Sequence, residues 1–400
     1  MLEQTLYNEL EAELLNDILP YWMERMVDPA GGFYGRMTGD DRLDNTAPRS
    51  AILYGRILWT FSAAYRRTGD ARHLETATRA KEYILRHFID PQQGGVYWSV
   101  DTRGEVVDGK KQFYAIGFVI YGLSEYHRAT GDREALDTAI ELYRAIERHA
   151  YDPQNNGYEE AAARDWSPLA DVRLSDKDAN ENKTMNTHLH ILEAYANLLR
   201  AWRDEELLQR TRNLLEIFLE RIVDTETGHL GLFFDDEWNC RSGRTWSYGH
   251  DIEASWLLLE TASTIGDPEL EARTLVACRR MADVALEGLR PDGSLNYECH
   301  ADGTIDREKH WWVQAECVIG QFYLYRYHDR PEALEGAVRT WEYIKNHLID
   351  RQNGEWWWSI LPDGTVNRKD DKAGFWKCPY HNSRMCMELI RRIERLLTKN

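Results

Sequence analysis

The stretch D-P-Q-Q-G-G-V-Y at residues 90–97 recurs in altered form six times along the chain. The copies are counted from six aspartates, which are spaced by 62, 62, 72, 68 and 58 residues: Asp28, Asp90, Asp152, Asp224, Asp292 and Asp350. Asp, Pro and Gly followed by an aromatic-rich stretch predict a turn that leads into a short strand. A unit reused six times constrains the architecture more than local propensity does, so we divide the 400 residues into six similar units.

Two helical patterns fill each interval between the turns. The pattern before a turn, as at 72–88, has charge on one face and predicts a helix on the surface. The pattern after a turn, as at 51–65, is apolar nearly all round and predicts a buried helix. Six such pairs predict an all-α fold, an (α/α)6 barrel or toroid of about twelve helices in two concentric rings, with short β-hairpins at one end. No linker interrupts the repeat, so residues 1–400 are expected to form a single domain.

Composition narrows the classes of function. The formal net charge of -18 disfavours binding to nucleic acid, because phosphate-binding proteins carry clustered Lys and Arg. The chain starts with an acidic amphipathic pattern instead of a signal peptide, and no stretch approaches the roughly 18 apolar residues of a membrane span. The six cysteines form no C-x-x-C pair, which is typical of reduced thiols. We therefore expect a cytoplasmic monomer with no nucleic-acid or membrane partner.

Each apolar helix carries, near its start, residues that a core would not choose. In unit order they are Arg49 and Arg56, Tyr114, His188 and His190, His250 with Glu253, Trp312 with Glu316, and Trp376 with His381. All lie about 20 to 38 residues after the aspartate of their unit. Equal phase in a closed ring means equal height, so these side chains are predicted to converge on one cavity. A single histidine on an apolar helix is usually structural, but three at one phase beside an arginine favour a functional site.

Helix geometry separates the two histidines of the third unit. Residues two apart on a helix point to different faces. His190 shares its face with Asn186, Glu193 and Asn197, whereas the face of His188 is otherwise apolar. We therefore predict that His190 faces the cavity and that His188 packs between helices.

Several assignments stay open on the residues alone. Glu253 lies three residues after His250, so it either bonds that ring or acts as a capping or core-bridging carboxylate. The 15 tryptophans either fill a large core or offer flat faces to sugar rings. No zinc-protease, phosphate-loop, dinucleotide or serine-hydrolase motif is present, and a zinc site made by three histidines is the minor alternative to a metal-free site.

Four segments resemble the cellobiose 2-epimerase family of the N-acylglucosamine 2-epimerase superfamily. They are M-N-T-H-L-H-I-L-E-A-Y-A-N at 185–197, S-Y-G-H-D-I-E-A-S-W-L-L-L-E at 247–260, H-W-W-V-Q-A-E at 310–316 and F-W-K-C-P-Y-H-N at 375–382. The resemblance runs end to end and implies the same barrel fold. In the last segment Cys378 stands where Gly is more usual for the family.

The resemblance also implies an activity and a set of site residues. It implies epimerisation at C2 of the reducing-end glucose of β-1,4-linked disaccharides, cellobiose and lactose among them, without metal or cofactor. The catalytic residues it implies are His190, His250, His381 and Arg56. Of the two arginines in the first unit, the resemblance assigns Arg56 and not Arg49 to the site. Expected substrate-binding residues are Tyr114, Asn186, Glu253, Trp312 and Trp376, to which we add Glu316 and Asp178.

Histidine suits such a reaction because inversion at C2 needs proton removal on one face of an enediolate and proton return on the other. A shuttle at neutral pH is expected to use groups with a pKa of about 6.5 to 7. We expect His250 and His381 to be this pair, His190 to serve ring opening, and Arg56 to stabilise negative charge on O1 and O2. Trp312 and Trp376 are expected to stack on the sugars.

Three rival functions remain at this stage. The first is an epimerase or isomerase of N-acylglucosamine, mannose or glucose, which would share the enediolate chemistry. The second is an inverting glycoside hydrolase, in which Glu253, Glu316 or Asp178 would form the catalytic carboxylate pair. The third is a non-catalytic protein that binds sugars or other proteins.

Overall fold

The computed structural model describes residues 2–398 and forms two concentric rings of helices. The inner ring is made by α3 (Ala51–Thr68), α5 (Phe113–Thr130), α7 (Met185–Ala201), α9 (Tyr248–Ile265), α11 (Trp311–Tyr327) and α13 (Tyr380–Leu397). Each inner helix packs on the next, and α13 packs on both α11 and α3, which closes the ring. The predicted (α/α)6 barrel is confirmed.

The outer ring follows the amphipathic patterns. It consists of α1 (Leu2–Glu13), α2 (Leu19–Glu24), α4 (Ala71–Tyr83), α6 (Arg133–His149), α8 (Glu205–Ile217), α10 (Pro268–Ala285) and α12 (Ala333–Tyr343). A π-helical turn, Leu14–Ile18, joins α1 to α2, so these two segments act as one outer helix. Further π-helical turns extend α4, α8 and α12, at Ile84–Phe88, Phe218–Ile222 and Ile344–Leu348.

A Gly-Asp dipeptide marks the passage from an inner helix to the following outer helix. Gly69, Gly131 and Gly266 end α3, α5 and α9 in the left-handed conformation, which glycine adopts without steric cost. The aspartate that follows each of them accepts a hydrogen bond from the first turn of the next helix. This short connection makes consecutive helices antiparallel.

Short antiparallel strands surround the end of the barrel where the inner helices begin. They are β1 (Arg49–Ser50), β2 (Ser99–Val100), β3 (Val106–Asp108), β4 (Lys111–Gln112), β5 (Ala161–Ala162), β6 (Lys183–Thr184), β7 (Phe233–Phe234), β8 (Trp246–Ser247), β9 (Glu298–Cys299), β10 (Ile305–Asp306), β11 (Lys309–His310) and β12 (Ser359–Ile360). The strand before an inner helix pairs with the strand after the next turn, as β1 does with β2 and β4 with β5. These pairs join neighbouring units.

All six repeated phrases fold as turns closed by one β-bridge. The bridges are Val27–Phe33, Ile89–Val96, Tyr151–Tyr158, Val223–Leu230, Leu289–Leu295 and Ile349–Trp356. In five turns the residue after the first bridge position is the expected aspartate, but in the fifth it is Arg290. Asp292 lies two residues further on, so the true spacings beside this turn are 66 (290 minus 224) and 60 (350 minus 290) residues.

A buried ion pair fixes four of the turns. The turn aspartate pairs with a basic residue that lies shortly before an inner helix, in Asp28–Arg49, Asp90–Lys111, Asp152–Lys183 and Asp350–Lys372. Arg49 also bonds the hydroxyl of Tyr83 and the carbonyl of Gly31. This arginine therefore holds turn one and does not enter the cavity.

The core fills the space between the two rings. Some tryptophans belong to it, since Trp22, Trp341 and Trp356 are fully buried. The six cysteines are unpaired. No helix within residues 2–398 is long and apolar enough to cross a membrane.

Candidate active site

A cavity of about 730 Å³ opens at the end of the barrel where the inner helices begin. This volume lies within the range of small-molecule sites. The structure brings ten of the eleven predicted residues to its wall: Arg56, Tyr114, Asp178, Asn186, His190, His250, Glu253, Trp312, Trp376 and His381. Neither Arg49 nor His188 lines it.

Some residues of the cavity wall were not predicted as site residues from the sequence. Five further aromatic residues line it, Trp98, Tyr297, Trp311, Trp358 and Phe375, and so does the loop 171–178 between β5 and β6. Asp178 belongs to this loop, where its carboxylate accepts hydrogen bonds from the backbone N–H and the hydroxyl of Ser175. The loop has no repeat equivalent, so repeat phase gives no signal for it.

His190 is oriented by a carboxylate on its own helix. Its Nδ1 lies 2.9 Å from Oε2 of Glu193. Burial alone would raise the pKa of Glu193, but the Arg384 guanidinium and the His190 ring beside it lower this pKa to about 2. Because the carboxylate is ionised, Nδ1 of His190 donates and Nε2 is left as the acceptor. Burial lowers the pKa of His190, and Glu193 opposes this only in part.

His381 is oriented by a carboxylate from the neighbouring helix. Its Nδ1 lies 2.7 Å from Oε1 of Glu316, which is fully buried behind the ring. Glu316 was predicted to bind substrate directly, but it does not line the cavity, and its carboxylate bonds Trp256, His381 and Arg384 instead. Burial lowers the pKa of His381 well below its ordinary value, and the charges of Arg384 and Arg56 lower it further.

The ring of His250 is held by a helix cap. Its Nδ1 lies 2.9 Å from Oγ of Ser247, whose hydroxyl also accepts the backbone N–H of His250. Of the two roles open to Glu253, the structure has the core-bridging one, since Glu253 bonds Arg384 and not His250. Burial, followed by the nearby His190, lowers the pKa of His250 to about 3.

Arg384 links the carboxylates beneath the cavity. Its side chain is 1% exposed. Nη1 donates to Glu193 at 2.5 Å, and Nη2 donates to Glu253 at 2.7 Å and to Glu316 at 2.6 Å. Two of these glutamates hold the rings of His190 and His381. Sequence analysis missed Arg384, because α13 carries several other charged residues and one more arginine on it gives no distinct signal.

Arg56 forms another part of the cavity wall. Its Nη2 donates to the Tyr114 hydroxyl at 2.7 Å, and its Nη1 donates to the Trp376 carbonyl at 3.2 Å. The guanidinium also lies 4.1 Å from the centre of the Phe118 ring. Arg56 is buried among aromatic rings, so its charge is little screened by water.

The carboxylates form the one metal-like cluster within residues 2–398. Ligand atoms of Glu253, Glu316 and His381 lie within 4.8 Å of one another. Both glutamates already bond the Arg384 guanidinium, so a cation engages these donors. The three-histidine zinc site is not formed by the described residues.

The arrangement can move protons between side chains at the wall of one cavity. Burial lowers the pKa of all three histidines, so the expectation of ordinary histidine values is wrong, and the rings are neutral at neutral pH. By contrast, burial and the charge of Glu316 raise the pKa of Glu253 to about 8. The site therefore holds neutral imidazole bases beside a protonated carboxyl group.

Comparison with known proteins gives one consistent family. The model of the N-acylglucosamine 2-epimerase (GlcNAc 2-epimerase) family matches residues 32–384. The chain is 55% identical to cellobiose 2-epimerase of Bacteroides fragilis over 97% of this chain and 100% of that one. It is 40% identical to cellobiose 2-epimerase of Ruminococcus albus, over 96% and 98% of the two chains.

A solved structure gives the same result in three dimensions. The cellobiose 2-epimerase of Bacillus thermoamylovorans superimposes with a TM-score of 0.93 at 39% identity, covering 97% of this chain and 100% of that one. The chain belongs to the N-acylglucosamine 2-epimerase family.

Proposed function

We propose that this protein epimerises C2 of the reducing-end glucose of β-1,4-linked disaccharides, converting cellobiose to glucosyl-mannose and lactose to epilactose. The observation that carries the proposal is a pair of histidines on different helices beside one cavity. His250 of α9 and His381 of α13 both lie beside Trp312, at ring-centre distances of 4.8 and 5.7 Å from it. The names of the similar proteins from Bacteroides fragilis and Ruminococcus albus support the same substrate class.

The reaction begins with ring opening, because the C2 proton becomes acidic only beside a carbonyl group. His190 takes the proton of the O1 hydroxyl on its free Nε2 and returns it to the ring oxygen. One imidazole of the pair His250 and His381 then removes the C2 proton, which leaves a cis-enediolate. The other imidazole, in its protonated form, donates a proton to the opposite face of C2.

The second imidazole needs a proton that burial of the ring disfavours. Glu253 and Glu316 share a buried site, and Glu253 holds a proton at neutral pH because its pKa is about 8. Glu316 bonds Nδ1 of His381, so the proton of the carboxyl pair passes to this ring by a short path. After each turnover the first imidazole loses the proton taken from C2 to solvent, and the carboxyl pair takes up a proton from solvent, which restores the starting state.

Arg56 stabilises the negative charge that develops on O1 and O2 of the enediolate. Its burial makes this electrostatic contribution larger than it would be in water. Removal of a comparable donor costs about 10²–10³ in turnover in other enzymes. Trp312 and Trp376 offer flat faces to the sugar rings.

The mouth of the cavity suits an uncharged second sugar. Lys110, Arg173 and Lys177 line it together with Asp171, Asp176 and Asp178, so positive and negative charges balance. A phosphorylated or acidic sugar would gain no net attraction there. We further propose that residues 1–400 act as one domain and as a cytoplasmic monomer, without metal or cofactor.

The experiment is NMR product analysis after incubation with cellobiose or lactose in heavy water. We expect the mannose-ended disaccharide with deuterium at C2, because the abstracted proton exchanges on the histidines. Product without solvent label would contradict proton abstraction. Mannose and N-acetylglucosamine, tested in parallel, would identify a different member of the epimerase and isomerase class by faster turnover.

The same samples test the hydrolase alternative. Hydrolysis would release monosaccharides, whereas epimerisation conserves the disaccharide. Inverting hydrolases hold two carboxyl groups roughly 6.5–9.5 Å apart, on opposite sides of the bond they cleave. Glu253 and Glu316 instead meet at one guanidinium, so we expect no monosaccharide.

A further inference from the structure

Turn six contains a residue in a conformation that side chains seldom adopt. Glu355 has a φ of 63° and directly precedes the second bridge residue, Trp356. At the same place turns one, two and three have glycines, with φ values of 67°, 71° and 93°: Gly32, Gly95 and Gly157. A glutamate in the left-handed region is an outlier that the surrounding structure must compensate.

The compensation comes from four hydrogen bonds to a fully buried carboxylate. Oε2 accepts the indole N–H of Trp22 at 2.7 Å, and Oε1 accepts the backbone N–H of Trp356 at 2.9 Å. Oε1 also accepts Nζ of Lys377 at 3.0 Å and Nδ2 of Asn382 at 2.7 Å. Two of the four donors therefore belong to the segment 376–382, which leads into α13.

Within that segment the start of α13 has no side-chain cap of its own. The residue before α13, Pro379, has no side-chain capping bond, whereas Ser50, Thr184 and Ser247 cap α3, α7 and α9. The bond from Asn382 to Glu355 thus holds the first turn of α13 from outside the helix.

Both ends of the segment belong to the site. At one end Trp376 lines the cavity and its carbonyl accepts Nη1 of Arg56. At the other end His381 lies next to Asn382. We infer that Glu355 is a positioning residue, which holds segment 376–382 and thereby orients Arg56, Trp376 and His381 together. The inference rests on the proposed function, in which these three residues act on the sugar.

The test begins with Glu355→Gly, which gives turn six the local sequence G-G-W, close to G-G-V at residues 94–96 of turn two. Glycine accepts the left-handed conformation, so the turn is expected to fold. We expect turnover of cellobiose to fall about 100-fold, because a displacement of about 1 Å in reacting groups has an effect of that size. Glu355→Gln keeps one acceptor oxygen and is expected to recover part of the turnover.

A second variant separates positioning from stability. Glu355→Gly leaves Lys377 buried without its carboxylate, so the double variant Glu355→Gly/Lys377→Met is expected to regain thermal stability while turnover stays low. Turnover that returned together with stability would overturn the inference. The matched control is Asn156→Gly, since Asn156 also has a left-handed φ, 66°, in turn three, and its side chain bonds Asn213 of the outer helix α8. It is expected to keep wild-type turnover.

A readout without substrate keeps the inference independent of the reaction. The ring resonances of His381, identified by their loss in His381→Ala, are expected to shift in Glu355→Gly and to stay in place in Asn156→Gly. Unshifted resonances together with wild-type turnover would overturn the inference. If the wild-type protein epimerised no sugar, the proposed function would fail, and the resonance shift would still decide the placement of His381.

Discussion

Arg384 brings together three carboxylates that are far apart in the sequence. One buried cation among three glutamates is tolerated because its guanidinium donates a hydrogen bond to each of the three carboxyl groups. The planar guanidinium is essential to this geometry, since it presents donors in two directions at once. At the scale of single residues, the site is thus built on one arginine that does not itself line the cavity.

We predict that Arg384→Lys lowers turnover about 100-fold through misplaced histidines, while the protein stays folded. Lysine keeps the positive charge but cannot bond all three glutamates in a fixed plane. Steady-state kinetics measure the effect. The control is Arg392→Lys on the same helix, because Arg392 is as deeply buried and pairs with Glu260 and Glu388 at the far end of the inner helices. Equal losses in both variants would contradict the prediction.

Sequence reasoning at this scale worked where one helix carried the information. The helical period of α7 predicted that His190 faces the cavity and His188 does not. In the structure His190 lines the cavity and His188 does not. Sequence reasoning failed for Glu316, since repeat phase gives the height of a side chain but not which side of the helix it leaves. It missed Arg384, because partners on three other helices cannot be read from spacing.

At the scale of elements, four inner helices carry a polar residue that lies outside the cavity at the same helical position. The fourth residue of four inner helices bonds the second bridge residue of a turn. Tyr54 bonds Phe33, His188 bonds Tyr158, Asp251 bonds Leu230, and Gln314 bonds Leu295. Each satisfies a buried backbone N–H that the single β-bridge leaves without a partner. His188 is structural for this reason.

We predict that Gln314→Met destabilises the protein by about 2–3 kcal/mol, because a buried N–H and a buried carbonyl of Leu295 both lose their partner. Gln314 accepts the first and donates to the second, each at 2.8 Å. Denaturant unfolding measures the loss. Turnover per folded molecule is expected to stay near the wild-type value, since Gln314 does not line the cavity. If the variant were as stable as the wild type, Gln314 would not have this structural role.

The whole barrel was predictable because three weak signals agree in all six units. Turn chemistry, the alternation of amphipathic and apolar helices, and regular spacing all demand the same closed ring, which tertiary contacts then confirm. The fifth turn shows the limit. Its aspartate was taken as the phase marker, but only the bridge register reveals that Arg290 holds that place.

A contact between α1 and turn six, which closes the outer ring, depends on pH. Glu13 of α1 accepts the indole N–H of Trp356 in turn six, and burial, followed by the charge of Asp17, raises its pKa to about 8. The folded state therefore favours the protonated form, and this contribution to stability is lost as the pH rises from about 4.5 to 8.

We predict that Glu13→Gln raises stability at pH 9 by at least ~1 kcal/mol and changes it little at pH 4.5. The amide keeps an acceptor for Trp356 and has no proton to lose. Thermal unfolding at the two pH values measures the difference. The control is Glu9→Gln on the same helix, where Glu9 is partly exposed and pairs with Lys345. A gain of equal size at both pH values would contradict the titration argument.

Turnover should depend on pH through the carboxyl pair beneath the cavity. The pKa of Glu253 is raised to about 8 by burial and then by the charge of Glu316, so its proton is present below this pH and lost above it. The proposed mechanism needs that proton on His381. We therefore predict that turnover falls by up to tenfold for each pH unit above about 8. Acid has less effect, since the pKa of His250 of about 3 keeps that base neutral across pH 5 to 8.

The measurement is the rate of deuterium incorporation at C2 of cellobiose between pH 5 and 10, with enough sugar to saturate the site. Glu253→Gln is the informative variant, because the amide is nearly isosteric and cannot supply a proton. It is expected to be slower than the wild type at neutral pH and to lose the fall above pH 8. If Glu253→Gln kept the same alkaline fall, the titrating group would lie elsewhere, and His381 would have to receive its proton from the sugar hydroxyls.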